Sequence, residues 1–273
     1  MNIESMIEEY TKAGYEYADA SSKVCQDILL LKISNSSFRE HITIKGGVVM
    51  HSISKDKRRA TRDLDLDFIK YSLEDDLIRS FIDKLNYVKD NIDISIIGAI
   101  KKLHHQDYDG KRVNIRLSNT YGNSINTKLD IGVHKQFDIE QDEYCFSFDI
   151  FNKNANLLIN SKEQILTEKL KSLLKLGFSS TRYKDLFDFY YLINIAGIDK
   201  QKLENCFDIL IFKDVTLKEN NMTDIIVRLK QILNSERYYN MLNNPKVNWL
   251  DLPVNEVIKN VIEYFSLFET IEV

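Results

Sequence analysis

Apolar positions recur at two different spacings along this chain, and the two occupy different stretches. From residue 1 to about 33 they fall at helical intervals. From 41 to about 150 the signal becomes short alternating or β-branched segments: HITIK, LDLDFI, IDISII, RVNIRL, NTKLDIGV and YCFSFDIF. Between the second and third of these, Leu73, Leu77, Ile78, Phe81 and Leu85 line one stripe of a helix over 73–87. Beyond about 160 the spacing is helical again, predicting helices over 162–176, 182–196, 200–212, 221–234 and 254–268. The pattern predicts an α+β chain with an α/β lobe over 1–155 and an α-helical lobe over 156–273.

Composition narrows the class. The 273 residues are 44% hydrophobic and 29% charged, which excludes a disordered or collagen-like chain and predicts a real core. Only Pro245 and Pro253 are prolines, and the glycines are single except at Gly46-Gly47, so no linker marks a boundary. No apolar run reaches the roughly 18 residues that span a bilayer, and the acidic start MNIESMIEEYTKAGYEY is unlike a signal peptide. The expected setting is the cytoplasm, with no membrane partner. Cys25, Cys145 and Cys206 form no CxxC pair and read as buried thiols of a reducing compartment. The net charge of −4 argues against a generic basic nucleic-acid coat.

The sharpest chemical feature is Arg59-Ala60-Thr61-Arg62-Asp63-Leu64-Asp65-Leu66-Asp67-Phe68. In a strand, Asp63, Asp65 and Asp67 share one face, about 7 Å apart in succession, and their repulsion calls for a cation between them. A divalent metal satisfies that, and a solvated edge strand shows the same spacing. Ahead of it, Ile42-Thr43-Ile44-Lys45 runs into Gly46-Gly47, a turn that lets backbone N–H groups approach a phosphate. Lys55, Lys57, Arg58, Arg59 and Arg62 lie between the turn and the acids, so the combination describes a site for a metal-bound polyphosphate. A third acid, Asp130, points away from Leu129 and Ile131 on a later strand, and three carboxylates from two strands are what metal-assisted nucleotidyl transfer uses.

In the helical half, the stretch from Lys153 to Asp185 carries a local charge of +4, against −3 for 199–273, which suggests a face for a triphosphate or an RNA backbone. Asp185 and Asp188 share a helix face, and Arg182 is spaced to pair with Asp185. His104, His105 and His134 lack a third ligand at zinc-like spacing and receive no role. The absence of GxSxG, HExxH, GxxxxGK[ST] and GxGxxG removes the usual hydrolase, zinc-protease, P-loop and dinucleotide-binding readings.

These residues resemble the abortive-infection AbiE-type nucleotidyltransferase toxins, a branch of the DNA polymerase β-like nucleotidyltransferase superfamily. The likeness covers roughly 40–195 in four ordered motifs: Ile44-Lys45-Gly46-Gly47-Val48-Val49-Met50, Arg59-Ala60-Thr61-Arg62-Asp63-Leu64-Asp65, Glu168-Lys169-Leu170, and Lys184-Asp185-Leu186-Phe187-Asp188. The resemblance implies a nucleotidyltransferase-fold N-terminal lobe with a mixed β-sheet and an appended helical lobe. It further implies Mg2+ (or Mn2+) and a nucleoside triphosphate, a tRNA 3′ end as acceptor, and a cognate antitoxin. By position, Asp63 and Asp65 would bind metal, joined by the Asp130 that the strand pattern supplies, and Gly46 and Gly47 would cradle phosphates. Lys169 would contact the triphosphate, Asp185 would position the nucleotide or the lysine, and Arg59 and Thr61 would orient the triphosphate. Arg182, Lys184 and Asp188 would support them. Two departures leave alternatives open: Asp67 makes Asp65–Asp67 a second choice of metal pair, and Val48 stands where relatives often carry Ser or Thr. A nucleotidyltransferase acting on a small molecule or protein, or a catalytically idle nucleotide-binding module, are the competing functions.

Overall fold

A computed structural model describes residues 2–103 and 110–269. His104 and His105 lie outside the described residues. The chain divides into two compact units, Met1–Asn160 and Ser161–Val273.

The first unit opens with α1 (Ile3–Lys12) and α2 (Tyr17–Ser34), which break the single predicted N-terminal helix in two. The break sits at Gly14, whose φ of 98° no L side chain adopts cheaply. There follow β1 (Ile42–Lys45), α3 (Gly46–Ser54), β2 (Leu64–Ile69), α4 (Asp75–Leu85), β3 (Ile92–Ile96), β4 (Lys101–Leu103), β5 (Gly110–Asn119), β6 (Ser124–His134), β7 (Gln141–Phe148) and β8 (Lys153–Asn160). They form one eight-stranded mixed sheet in the order β3-β5-β6-β2-β1-β8-β7, with β4 on β5. β4 and β8 have no counterpart among the predicted strands, and β8 carries the sheet past residue 155 to Asn160.

One face of this sheet is apolar and the other polar. Leu64, Leu66 and Phe68 of β2, Leu129 and Ile131 of β6, and Val113, Ile115 and Leu117 of β5 are all buried. Each such side chain contributes roughly 1.5–3 kcal/mol on burial. Phe68 packs edge-on against Phe81 (ring centroids 5.3 Å apart) and Tyr71 (5.2 Å), and Phe38 packs on Phe81 (5.0 Å). Strand alternation then forces Asp65 and Asp67 to the opposite, polar face, because a one-residue slip would bury the acids among these rings.

On α3, His51 is buried and shares a 3.0 Å hydrogen bond with the Tyr15 hydroxyl. Burial, then the nearby Lys23 and Arg59 charges, lower its pKa from 6.5 to about 4. The unfolded chain therefore takes up this proton first on acidification, and the stability His51 contributes above pH 6.5 is lost as pH falls toward about 4. His134, lowered chiefly by burial, acts in the same direction. The melting temperature is expected to fall between pH 7 and 5, and His51→Leu should flatten that slope; an unchanged slope in a thermal-melt series would contradict the assignment.

The second unit is helical: α5 (Lys162–Leu176), α6 (Lys184–Tyr191), α7 (Lys200–Phe207), α8 (Met222–Leu233), α9 (Glu236–Leu242) and α10 (Val254–Ser266). α6 and α7 run on through wider turns to Ala196 and Phe212. α5 begins where the Ser161 side chain caps the Gln164 amide at 3.1 Å. The short α9 has no predicted counterpart. Among the described residues no helix is long and apolar enough to cross a membrane.

The cysteine reading needs one correction. Cys25 and Cys206 are buried, with thiol pKa values pushed up by burial to about 12, but Cys145 is exposed. β7 turns Phe146 and Phe148 inward, and alternation leaves Cys145 facing out.

Candidate active site

The polar face of the first unit gathers most of the sequence-predicted residues. β2 pairs antiparallel with β1, setting Asp65 opposite Lys45, and parallel with β6, setting Asp65 abreast of Asp130. Asp63 lies one residue before β2 rather than within it. Asp67 is 4% exposed, and its Oδ1 lies 2.6 Å from the equally buried Lys45 Nζ. Asp130 is held by Arg112, which forks onto it with Nε–Oδ1 at 2.7 Å and Nη2–Oδ2 at 2.6 Å.

Both glycines of the turn are explained by what they approach. Gly46 has φ 68°, and a Cβ there would meet Asp65 Oδ2 at 2.6 Å. A Cβ on Gly47 would meet Thr61 at 2.8 Å. The start of α3 is thus packed directly against Asp65 and Thr61, with no side-chain cap on its first amides. Gly46→Ala is expected to cost about 1–3 kcal/mol from backbone strain and to push the Asp65 carboxylate aside. A urea titration read together with a transfer assay checks this, and wild-type values in both would refute the close approach.

Behind this turn, Gln26 of α2 is buried and donates from Nε2 to the Thr61 carbonyl at 2.8 Å. Arg59 is buried in the short turn Lys57–Arg59, while Arg62 is exposed and pairs with Asp19 at 2.8 Å.

The second unit holds a separate buried cluster. Lys169 of α5 is ion-paired with Asp185 and lies 2.8 Å from Asp188, both on α6. The i, i+3 spacing of the two aspartates brings both carboxylates to one lysine. Asp185 Oδ2 is buried with no hydrogen-bond partner, and Arg182 Nη1 stands 4.0 Å away. Lys184 is half-buried at the start of α6. The positive charge counted over 153–185 is largely absorbed internally. Lys162 donates to the Ala196 carbonyl at 2.8 Å, and Lys171 and Lys175 converge on Asp214 at 2.7 and 2.9 Å. Those lysines hold Asp214 ionised well below the usual carboxylate range.

Sequence reasoning passed over Arg112 and Lys45. A signal for Arg112 existed: Asn119-Thr120-Tyr121-Gly122-Asn123 closes the β5–β6 hairpin, with the Asn119 amide donating to the Asn123 carbonyl at 3.0 Å. That register sets residue 112 opposite 130.

Carboxylates alone make a hard-oxygen donor set that suits Mg2+ or Mn2+, so the residue types at Asp63, Asp65 and Asp130 fit such an ion. Among the described residues no group of three or more His, Cys, Asp or Glu side chains is arranged as a ready metal centre. Two of the acids on this face are ion-paired, Asp130 with Arg112 and Asp67 with Lys45.

The model of one known family, described as nucleotidyl transferase AbiEii toxin, type IV toxin–antitoxin system, matches residues 28–249. The match spans most of the chain and defines its class, a nucleotidyltransferase. The chain belongs to the AbiEii family of toxins, and membership implies a nucleoside triphosphate substrate and an antitoxin partner. No curated protein matches it. Among solved structures, an antigenic nucleotidyltransferase-like protein from Paracoccidioides brasiliensis is similar over 82% of this chain and 96% of that one, at 18% identity and a TM-score of 0.44.

Proposed function

We propose that this chain transfers a nucleotide from a nucleoside triphosphate to the 3′ end of a tRNA in the cytoplasm, with a divalent cation, and that its antitoxin holds the activity in check. The observation that carries the reading is Asp65, abreast of Asp130 and pressed against the Gly46 turn at the start of α3. In this reading Asp63, Asp65 and Asp130 hold the cation, while Asp67 is tied to Lys45 in the sheet. The cation would lower the pKa of the attacking hydroxyl and neutralise the departing pyrophosphate. Uncapped amides at Gly46 and Gly47 bind phosphate oxygens, an arrangement favoured by the positive end of the helix dipole. Thr61 and Arg59 orient the triphosphate, and Gln26 fixes the loop that carries them. Lys169 and Asp185 contact and position the nucleotide, the unpartnered Asp185 Oδ2 being an acceptor for a hydroxyl or amine. No protein side chain needs to become covalently attached; placement and charge neutralisation suffice.

An RNA acceptor is favoured over a small molecule by charge on the same sheet face as Asp65. Cross-strand partners share a face, so Lys101, Arg116 and Lys128, all exposed, lie on that of Arg112 and Asp130. Such residues bind a phosphate backbone without reading sequence.

The test is incubation of the protein with Mg2+, each α-labelled nucleoside triphosphate in turn, and total tRNA. Label on tRNA is the expected result. Label on protein or a small molecule instead would overturn the tRNA reading while keeping the chemistry.

A further inference from the structure

The β5–β6 hairpin carries charge of one sign outward from the candidate site. From Gly110 to Leu129 it contains no Asp or Glu, against Lys111, Arg112, Arg116 and Lys128. Lys111 points to the apolar face, where it pairs with Asp75 of α4, and Arg112 is held by Asp130 in the row that carries Asp65. The other two lead away from that row on the open face. Lys128 lies one alternation from Asp130, and Arg116, opposite Asn126, lies one further, each step being about 7 Å. Both are exposed, and Arg116 reaches across to β6 by donating from Nε to the Asn126 side chain at 3.2 Å. β6 starts at Ser124, about 20 Å along the strand from Asp130, and the turn beyond it presents Tyr121, which is 72% exposed. Asp93, an exposed acid on the neighbouring β3, stands opposite Ser118 and bounds this face on that side.

We propose that the β5–β6 hairpin is the track for an unpaired 3′ segment of the acceptor RNA: its phosphates lie on Lys128 and Arg116, a base stacks on Tyr121, and its 3′ hydroxyl reaches the row of Asp65 and Asp130. This rests on the reading of an RNA acceptor and adds where that RNA lies and in what state. Cations spaced along an open strand face hold a polyanion without selecting sequence. The exposed ring argues for unpaired RNA, because an aromatic platform takes a base whose face is free, while bases inside a duplex are already stacked on one another. With no acid between Asp130 and the tip, nothing on the hairpin repels a backbone laid along it, and Asp93 disfavours one that strays onto β3.

Binding is read apart from catalysis, by fluorescence anisotropy of a short labelled single-stranded RNA over a series of salt concentrations, without nucleotide. Total tRNA and a blunt duplex of the same RNA serve as competitors. The single strand is expected to bind the wild type, tRNA to displace it, and the duplex to compete poorly. Lys128→Ala and Arg116→Ala should each lower the slope of log affinity against log salt by about 0.7, the value for one phosphate contact on a single strand. Tyr121→Ala should weaken binding about tenfold, and Tyr121→Phe should keep it, since phenylalanine retains the stacking face. All three side chains are exposed, so melting temperatures should hold steady across the variants. Wild-type affinity in Tyr121→Ala, an unchanged salt slope in both charge variants, or labelling of tRNA without binding of the single strand would overturn the track. In each of these cases the tRNA acceptor stands as long as tRNA is still labelled from an α-labelled nucleoside triphosphate. A duplex that binds better than the single strand would overturn the unpaired occupant. A wild type that neither binds nor labels RNA would remove the RNA acceptor and the track with it.

Discussion

Asp65→Asn is expected to reduce nucleotidyl transfer by at least about 10²–10³-fold with little change in melting temperature. The substitution keeps the shape of the side chain against Gly46, removes one of three clustered negative charges, and leaves the packing of Phe68 on Phe81 and Tyr71 untouched. Stability and activity should therefore separate. Asp67→Asn provides the contrast, because it strands the buried Lys45 ammonium without its carboxylate. For that variant any loss of transfer should come with a lower melting temperature. Parallel transfer assays and thermal melts decide the matter: a fully active Asp65→Asn would remove Asp65 from the chemistry, and a stable, inactive Asp67→Asn would move the metal pair to Asp65–Asp67.

Lys169→Met should have the largest effect on folding, lowering unfolding free energy by about 3–5 kcal/mol, because it leaves two buried carboxylates without their cation. Asp188 is fully buried and Asp185 is 5% exposed, so water cannot replace the ammonium. Neutralising the acids as well, in Lys169→Met/Asp185→Asn/Asp188→Asn, should recover part of the loss, since the desolvated charges are then gone. Urea titrations of the single and triple variants test this, and a single-variant loss under about 1 kcal/mol would show the cluster to be more hydrated than its burial indicates. Lost transfer in Lys169→Met alone is not diagnostic of a triphosphate contact. A folded Asp185→Asn with raised KM for the nucleotide would be.

Period alone was enough to read much of the architecture. LDLDFI and the helix over 162–176 appear with those bounds, since two-fold alternation and a helical stripe are local properties that tertiary packing seldom reverses. β4 is three residues long and too short to show a period. β8, KNANLLIN, alternates poorly because its first half is polar and exposed while its second half, Leu157 to Asn160, runs into the buried interior.

The candidate chemistry divides in the same way. The sequence by itself determined which residue types are present and which neighbours share a face: Asp65 with Asp67, Asp185 with Asp188, and a glycine pair ahead of the acids. It also carried the four-motif likeness that the family match bears out. Only the tertiary structure decided which of those charges face each other. Sequence spacing says nothing about a partner arriving from another strand or helix, and a buried charge is defined by the partner that compensates it. Strand pairing brought Lys45 diagonally onto Asp67 and set Arg112 opposite Asp130, and helix packing gave Lys169 to both aspartates of α6. The same pairings turned an apparent basic stretch over 153–185 into a set of internal ties, because Coulomb attraction in a poorly solvated interior outweighs what any count of residues along the chain can express.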